Sequence, residues 1–379
     1  MANEASTNTI AAQLLGERNH CRALRMATLV GSDILSCGGS IDAPYQARQS
    51  AIHMAGRKTL WALFGSVLCV LGVTTFVVGA LLGSARLLIP ASDQVTRFVE
   101  IVVWYSALPV VAGMLAIGVD LFFIVRKKRR HKSVRHDPIV PQRVTVALTA
   151  YNDEQSIGDA VRDFLGSPFV QRVIVVDNNS TDRTAQRARE AGAIVVEEPR
   201  QGYGACVYRA LTEAAGHSDT PLTVLCEGDS TFRAFDIPKF LAYMPHADVV
   251  NGTRIVEQLQ DSRTQISTFI HYGNLAVAKL LEMKYLGDVT LTDVGATYKM
   301  LRTSVLPNLL LKLDPGINLE FNPHFLERCV EAGLSVIECP VTFHRRVGVS
   351  KGGNASNRKA LLVGLRMILG ILTSWKRGT

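Results

Sequence analysis

Three short acidic loops carry the groups with which this chain could do chemistry. They are 149–154 (T-A-Y-N-D-E), 177–182 (D-N-N-S-T-D) and 227–229 (E-G-D). Each loop follows a run of apolar, largely β-branched residues, so each comes directly after a predicted strand. Carboxylate oxygens are hard ligands that suit Mg²⁺ and Mn²⁺. The chemistry that these loops could support is therefore the binding of a divalent cation.

The elements that position these loops follow from the pattern beyond Pro138 and Pro141. Short β-branched runs alternate there with amphipathic helices, as in a parallel sheet with crossover helices. The predicted elements are strand 144–148, helix 154–165, strand 172–176, helix 181–191, strand 193–197, helix 204–215 and strand 222–227. Because ligands bind at the carboxyl ends of such strands, we expect the loops after Leu148, Val176 and Cys226 to share one crevice.

Two long apolar stretches occupy the first third of the chain. The first, 59–85, has no charged residue, and about 20 apolar residues suffice to span a bilayer. It is too long and too far from the N-terminus for a cleaved signal peptide. The second, 101–125, contains Asp120, expected at the interface, and leads into the basic cluster 126–132. The basic flanks predict a hairpin whose large domain is cytoplasmic, with the loop 86–97 outside.

Composition narrows the function classes. The chain has 379 residues, 47% of them apolar, and a formal net charge of +8. This charge suits nucleic acid, a membrane surface or a phosphorylated substrate. Its basic cluster directly follows an apolar stretch, which favours a cytoplasmic stop signal over a nucleic-acid site. The seven cysteines form no C-x-x-C pair, so neither a zinc site nor a disulfide framework is indicated.

Taken together, these loops resemble the family 2 glycosyltransferases of the GT-A fold, and within them the dolichyl- and polyprenyl-phosphate sugar synthases. The most specific match is 175–184, V-V-D-N-N-S-T-D-R-T, which follows a strand and opens a helix. The other matches are 200–205 (R-Q-G-Y-G-A), 251–254 (N-G-T-R), 292–297 (T-D-V-G-A-T) and 338–351 (E-C-P-V-T-F-H-R-R-V-G-V-S-K). The chain departs from the family pattern at Glu227, which replaces an aspartate, and at Ala296, which replaces a phenylalanine.

The glycine-containing loop 200–205 argues against a nicotinamide-dependent enzyme. It lacks the third glycine of a dinucleotide fingerprint and follows the third strand instead of the first, which disfavours that class.

The donor side of the site follows from the resemblance. It implies Mg²⁺ or Mn²⁺ held by Asp229 and Glu227, since such an ion neutralises the charge on a departing diphosphate. The nucleotide-sugar contacts that it implies are Ala150, Tyr151, Glu154, Asp177, Asn179, Arg200, Gly202, Gly204, Glu227 and Gly228. For Asp177 a helix cap or turn is the alternative, and Asp182 is expected to be a cap.

The acceptor side is implied in the same way. A polyprenyl phosphate needs cationic donors, and the candidates for the acceptor or the diphosphate are Arg254, Arg263, Arg346 and Lys351. Asp293 would position the acceptor or the sugar, so Asp229, Asp293 and Arg254 form the expected catalytic set. The alternatives are surface charge at Arg263, a turn at Asp293, and a basic loop facing lipid headgroups at Arg346 and Lys351. Because a phosphate oxygen is already ionised near neutral pH, the reaction needs no general base.

These observations predict an α/β protein of GT-A type, with a Rossmann-like, mostly parallel sheet and flanking helices. An N-terminal transmembrane hairpin and a C-terminal amphipathic helix complete it. The expected segments are an N-terminal cytoplasmic segment 1–57, the hairpin 58–126, a basic linker 127–142, the catalytic domain 143–355 and an interfacial helix 356–379.

The expected activity is inverting transfer of a sugar from GDP-mannose or a UDP-hexose to polyprenyl phosphate at the cytoplasmic membrane face. One alternative is a glycosyltransferase that extends a lipid-linked saccharide or polymer. The other is a catalytically silent membrane scaffold. The expected partners are the nucleotide-sugar, the polyprenyl phosphate and the bilayer, without nucleic acid, and a homo-oligomer stays open.

Overall fold

The structure is a computed structural model that describes most of the chain from residue 56 onward. The described residues are 56–86, 92–130, 133–262, 264, 266–348 and 357–375. Two predicted site residues, Arg263 and Lys351, lie outside them, as does nearly all of the segment 1–57.

Two antiparallel apolar rods form the N-terminal part. The first is one helix, Leu60–Ala85 (α1). The second combines Asp93–Tyr105 (α2), Ala107–Asp120 (α3), a π-helical turn at Leu121–Val125 and Arg126–Arg130 (α4). Both rods are long and apolar enough to cross a membrane.

Small residues let the two rods approach closely. A Cβ atom on Gly65 would lie 2.6 Å from the carbonyl oxygen of Gly113, and one on Gly113 would lie 2.4 Å from that of Gly65. Such contacts between small residues are typical of packed membrane helices. Asp120 is fully buried, and its Oδ2 accepts the Ala62 N–H at 2.8 Å. It therefore satisfies a free amide in the first turn of α1.

A seven-stranded mixed sheet forms the centre of the large domain. Its strands are Val144–Ala150 (β1), Val170–Asp177 (β2), Ile194–Glu197 (β3), Leu222–Glu227 (β4), Val249–Thr253 (β5), Lys299–Arg302 (β6) and Val336–Pro340 (β7). Their spatial order is β3-β2-β1-β4-β6-β5-β7. Strand β6 runs antiparallel to both of its neighbours, and the other pairs are parallel. The predicted α/β class is confirmed.

Eight helices of the described chain flank the sheet. They are Ile157–Leu165 (α5), Thr184–Glu190 (α6), Tyr203–Ala215 (α7), Ile237–Tyr243 (α8), Thr268–Lys284 (α9), Leu306–Leu310 (α10), Phe321–Glu331 (α11) and Asn357–Thr373 (α12). Strand β1 is buried along its whole length, as expected for a central strand that helices cover on both faces. One apolar cluster includes Leu211 and Phe325. The other centres on Tyr298, whose ring packs 4.8 Å from Phe240.

Two helices begin later than the sequence predicts, because side chains of the acidic loops hold the preceding residues. Helix α5 starts at Ile157 instead of 154, because the Glu154 N–H donates to Asp182 Oδ2 at 3.2 Å and residues 154–156 form a turn. Helix α6 starts at Thr184 instead of 181. There Asp182 Oδ1 accepts the Thr184 N–H at 2.9 Å, but the N-cap residue is Arg183, so Asp182 forms a turn just before the helix and is not its N-cap as predicted.

Polar contacts join the helical pair to the large domain. The Thr59 N–H donates to the carbonyl of Lys284, the last residue of α9, at 2.7 Å. Lys128, whose side chain is 2% exposed, donates to Asp288 Oδ2 at 2.6 Å and to the Arg57 carbonyl at 2.7 Å. These bonds fix α1 and α4 against the end of α9.

Candidate active site

A cavity of about 610 Å³ opens at the carboxyl ends of β1 and β4. At this end it is lined by three carboxylates and two guanidiniums, those of Asp153, Glu227, Asp229, Arg254 and Arg346. The loops after β1 and β4 meet here because both strands are parallel neighbours, as the sequence predicted.

Asp229 is the most enclosed of these carboxylates, at 1% exposure. It lies just beyond β4, in a turn where Ser230 has a φ of 63°. Its Oδ1 accepts the N–H and the hydroxyl of Thr231 at 3.0 and 2.6 Å. Its Oδ2 lies 3.1 Å from Arg346 Nη1, while Arg346 Nη2 donates to Asp153 Oδ1 at 3.1 Å. One guanidinium therefore bridges two of the three carboxylates.

This end of the cavity holds more negative charge than Arg346 compensates. Burial raises the pKa of Asp229 to about 7, and the Glu227 carboxylate adds to that rise, while Arg346 and Thr231 oppose it. A bound cation would favour the ionised carboxylate.

Glu227 is held by a chain of polar side chains from the far side of the sheet. Thr297 Oγ1 donates to Glu227 Oε1 at 2.6 Å, and the Tyr203 hydroxyl lies 2.6 Å from Thr297 Oγ1. Asn322 Nδ2 donates to that hydroxyl at 3.1 Å, and the buried Lys299 Nζ donates to Asn322 Oδ1 at 3.2 Å. Sequence reasoning missed Tyr203, Lys299 and Asn322 as site residues, although Tyr203 lies inside the R-Q-G-Y-G-A match.

The loop after β2 contributes mainly through Asn178. Its Oδ1 accepts the Gly202 N–H at 2.8 Å and its Nδ2 donates to the Arg200 carbonyl at 2.7 Å, and it lines the cavity. The neighbouring Asp177 is 5% exposed, and its Oδ2 accepts the Ser180 N–H at 3.2 Å. Asp177 Oδ1 is buried and has no hydrogen-bond partner in the described part of the chain. Buried polar groups are normally paired, so this acceptor stands out, although Asp177 itself is not among the residues that line the cavity.

Three predicted nucleotide contacts point away from the cavity. Glu154 Oε2 accepts the backbone N–H of Arg183 at 3.1 Å, at the start of α6. The Arg200 side chain is 63% exposed and lies 3.1 Å from Glu198. Asn179 is exposed and adopts a φ of 59°. None of the three lines the cavity as described.

Of the other predicted nucleotide contacts, Ala150, Tyr151 and Gly202 line the cavity, whereas Gly204 and Gly228 lie outside its lining. Ala150 and Tyr151 line it at the end of β1, and the Gly228 N–H donates to the Thr149 carbonyl at 2.9 Å. Gly202 adopts a φ of 147°, which favours glycine. Gly204, in the first turn of α7, lies so close to the loop before α11 that a Cβ atom on it would lie 1.7 Å from the backbone oxygen of Ile317. These glycines let α7 start beside the cavity.

The second guanidinium of the cavity, Arg254, forms a bidentate ion pair with Asp293. Arg254 Nε and Nη2 donate to Asp293 Oδ2 and Oδ1 at 2.7 and 2.8 Å. Burial by itself raises the pKa of Asp293, but Arg254 holds it below its ordinary value. Arg254 lines the cavity and also lies over the Phe343 ring, 5.2 Å from its centroid. Asp293 thus orients a cation that faces the cavity.

Comparison with known proteins agrees with this geometry. Residues 145–310 match the model of glycosyl transferase family 2. An uncharacterised glycosyltransferase of Mycobacterium bovis is 30% identical over 234 residues, which cover 62% of this chain and 96% of that protein. The chain belongs to glycosyltransferase family 2. It is therefore a glycosyltransferase, and the family predicted from its motifs is confirmed.

A second relative and a solved structure are also similar to this family 2 glycosyltransferase. The dolichyl-phosphate hexose transferase of Haloferax volcanii is 29% identical over 209 residues, covering 55% of this chain and 86% of that protein. Glucosyl-3-phosphoglycerate synthase from Mycobacterium tuberculosis, in complex with Mn²⁺, UDP-glucose and phosphoglyceric acid, is 17% identical. The match has a TM-score of 0.46 and covers 62% of this chain and 80% of that one.

The acidic end of this glycosyltransferase fits a divalent metal that is shared with a substrate. Among the described residues, no group of three or more His, Cys, Asp or Glu side chains is arranged to hold an ion by itself. Mg²⁺ commonly uses one or two carboxylates and takes its other ligands from substrate phosphates and water. Glu227 and Asp229 supply such a pair, and their carboxylates lie close enough for Glu227 to add to the rise in the pKa of Asp229 that burial causes.

Two helices form an apolar wall along the rest of the cavity. Helix α9 contributes Phe269, Ile270 and Val277, and α12 contributes mainly aliphatic side chains such as Leu361 and Met367. The two helices pack against each other. A water-soluble phosphosugar would leave this wall uncovered, so the wall suits an apolar part of a ligand.

A buried polar cluster, the α12 latch, fixes the end of that wall. We define it as Lys284, Glu327 and Trp375, which are joined to one another by side-chain bonds. Lys284 Nζ lies 2.6 Å from Glu327 Oε1 and also donates to the Ile371 carbonyl at the end of α12. Trp375 Nε1 donates to Glu327 Oε2 at 2.7 Å. Lys58, the second residue before α1, donates to Ser374 Oγ at 2.9 Å. The latch therefore connects α12 to the base of the helical pair.

Proposed function

We propose that the protein transfers a hexose from a nucleotide-sugar to a polyprenyl phosphate. The observation that carries the proposal is one cavity with two chemically different ends. Carboxylates suited to a metal and a diphosphate lie at the strand ends, and an apolar wall lies along α9 and α12. The similarity to a protein named dolichyl-phosphate hexose transferase supports the same acceptor class.

The donor is proposed to bind at the acidic end. Asp229 and Glu227 would hold Mg²⁺ or Mn²⁺, which supplies positive charge for the departing diphosphate. The nucleotide would lie over Ala150, Tyr151 and the Asn178 loop, where Asp177 offers its orphaned Oδ1. Arg346 already lies at the metal position and would turn to the diphosphate once a cation takes its place.

The acceptor phosphate is proposed to bind at Arg254. Asp293 occupies Nε and Nη2 of its guanidinium and holds the group in place, so Nη1 would be the nitrogen that donates to a phosphate oxygen. A phosphate oxygen attacks the anomeric carbon as the bond from that carbon to the β-phosphate oxygen breaks. The attack comes from the face opposite the leaving group and the diphosphate leaves with the electron pair, so this single displacement inverts the anomeric centre. The acceptor is ionised beforehand, and no side chain has to remove a proton.

The membrane arrangement is part of the proposal. The two apolar rods would span the bilayer with the basic cluster after the second in the cytoplasm. Helix α12 exposes a row of leucines, of which Leu361, Leu365 and Leu369 are 48–60% exposed. Such a face suits an interfacial helix. The segments 58–126, 143–355 and 356–379 would then be anchor, catalytic domain and interfacial helix, with 127–142 as linker.

The test is a transfer assay in membranes that contain the full chain and undecaprenyl phosphate. Radiolabelled GDP-mannose, UDP-glucose and UDP-N-acetylglucosamine are offered separately, with and without Mn²⁺. We expect a chloroform-soluble, mild-acid-labile product from one donor, reduced about a hundredfold or more by Asp229→Asn. Asp159→Asn is the matched control, because its side chain is 76% exposed on α5.

The alternatives predict different products. If a lipid product forms only when a lipid-linked saccharide is supplied, the acceptor is a growing glycan and not polyprenyl phosphate. Absence of nucleotide-sugar binding by the purified chain would refute the enzymatic proposal.

A further inference from the structure

The second apolar rod contains a break in its helical register. Between α3 and α4 the residues Leu121–Val125 form a π-helical turn, and the Arg126 N–H donates to the Leu121 carbonyl. Such turns are rare and occur frequently at functional sites, where one extra residue in a turn re-aims the side chains that follow.

The turn brings apolar and basic side chains to one face. In a regular α-helix a residue five positions onward is rotated by about 140°, so Arg126 would point away from Leu121. The π-helical turn, closed by the bond from the Arg126 N–H to the Leu121 carbonyl, changes that relation, and both residues line one cleft. As a result, Leu121, Val125, Arg126 and Arg129 together line a cleft of about 410 Å³, which we call the π-turn cleft.

The cleft has two free cations over an apolar floor. The Arg126 and Arg129 side chains are exposed, and neither makes a hydrogen bond or ion pair with a residue in the described ranges. Lys128, on the same turn, is instead buried against Asp288. Leu121 is 45% exposed and Val125 forms the floor at 4%. Two guanidiniums three residues apart on one helix can both reach a single phosphate.

We propose that the π-turn cleft binds the headgroup phosphate of an anionic phospholipid from the surrounding bilayer. The guanidiniums would hold the phosphate, and the start of an acyl chain would cover the exposed Leu121. A free phosphate matches the cations but leaves the apolar floor bare. The cleft lies at the end of a helix that is long and apolar enough to span a membrane. Basic residues at that depth meet the anionic headgroups of the membrane surface.

The experiment uses the full chain, purified and delipidated in a neutral detergent and titrated with one compound at a time. The compounds are palmitoyl-oleoyl phosphatidylglycerol, the matching phosphatidylcholine and inorganic phosphate, and native mass spectrometry counts the bound molecules. We expect one tightly held phosphatidylglycerol and no comparable phosphatidylcholine or phosphate. Arg126→Gln and Arg129→Gln should each weaken the lipid about tenfold, since each removes a charged hydrogen-bond donor.

Lys127→Gln is the matched control, because Lys127 carries the same charge on the same turn but does not line the cleft. It should leave the binding constant unchanged. Equal weakening by Lys127→Gln and Arg126→Gln would overturn the proposal in favour of unspecific charge attraction. Equal binding of phosphatidylcholine would overturn the role of the cations, and tight binding of inorganic phosphate would overturn the lipid. Arg126→Lys keeps the charge but loses the planar fork, so it should weaken the lipid less than Arg126→Gln.

Discussion

Replacing Asp293 with asparagine removes the negative charge that neutralises the guanidinium of Arg254, a residue that is only 7% exposed. Asp293 accepts from Arg254 through the backbone N–H at 3.0 Å, through Nε at 2.7 Å and through Nη2 at 2.8 Å. It also accepts from Asn274 Nδ2 at 2.7 Å and from the Gly295 N–H at 2.9 Å. An asparagine amide can keep some of these bonds, but it leaves the guanidinium buried without an anion.

Breaking a buried ion pair on one side costs about 3–5 kcal/mol, and we expect Asp293→Asn to lower the free energy of unfolding by this order. Arg254→Met should cost less because no isolated cation remains. In the double variant the losses should fall short of their sum by about 2 kcal/mol. Because Arg254 holds the pKa of Asp293 below 3.8, the pair stabilises at neutral pH and the contribution is lost only as the pH falls below that value.

The assay is thermal unfolding of the full chain in detergent at pH 7.5, together with steady-state kinetics at a permissive temperature. If Arg254 binds the acceptor phosphate, Asp293→Asn raises the KM for polyprenyl phosphate and leaves the KM for the nucleotide-sugar unchanged. Asp261→Asn is the control, since that carboxylate is 50% exposed and contacts only His344 among the ionisable groups described. If Asp293→Asn lowers the free energy of unfolding by less than about 1 kcal/mol, or if the losses of the two single variants add up in the double variant, the energetic coupling between Arg254 and Asp293 is refuted.

Three further outcomes follow from the structure. Trp375→Phe keeps an aromatic ring but removes the hydrogen bond from the indole N–H to Glu327, which weakens the α12 latch. The KM for the lipid acceptor should rise about tenfold, and the KM for the nucleotide-sugar should stay unchanged. An equal rise in both KM values would contradict a role of the α12 latch in acceptor binding. Lys299→Met should raise the melting temperature, most at pH 6, because burial lowers the pKa of Lys299 to about 7. Below pH 7 the folded protein has to bury a charged lysine, which lowers its stability, and this loss of stability fades as the pH rises from 7 towards 10.5. A difference in melting temperature between variant and wild type that does not change with pH would contradict this argument. Arg346→Gln should tighten Mn²⁺ binding several-fold in the absence of the nucleotide-sugar, because it removes a guanidinium that competes for the same carboxylates. Calorimetry measures this affinity. Arg345→Gln, an exposed neighbour, should leave it unchanged.

The part of the site that could be read from the sequence is the part made by neighbouring parallel strands. Apolar runs identified β1, β2 and β4, and the carboxyl ends of parallel strands meet at one edge, so the loops around Tyr151, Asn178 and Asp229 had to converge. The pattern could not reveal that Glu154 caps α6. A carboxylate near a helix start binds either a ligand or a free amide, and the choice depends on where the chain next turns.

Long-range pairing accounts for what the sequence did not reveal. Arg346 meets Asp153 across 193 residues of chain, and no local pattern encodes that distance. The same holds for Lys299, Asn322 and Tyr203, which come from a strand and two helices and meet only because β6 runs antiparallel between β4 and β5. Each residue looks like ordinary core or surface by itself, so its role emerges only from the packing of the sheet.

The charges of the site also suggest an order of events. At the proposed donor site three carboxylates face the Arg346 guanidinium, whereas at the proposed acceptor site Arg254 is already neutralised by Asp293. An anionic acceptor phosphate approaching the empty cavity would therefore meet a net negative field. A divalent cation that arrives with the donor reverses that field locally, because two positive charges offset the surplus at Glu227 and Asp229. The Arg254–Asp293 pair can then hold the acceptor by geometry, without requiring excess positive charge of its own. The unequal pairing of charges at the two ends thus favours donor binding before acceptor binding.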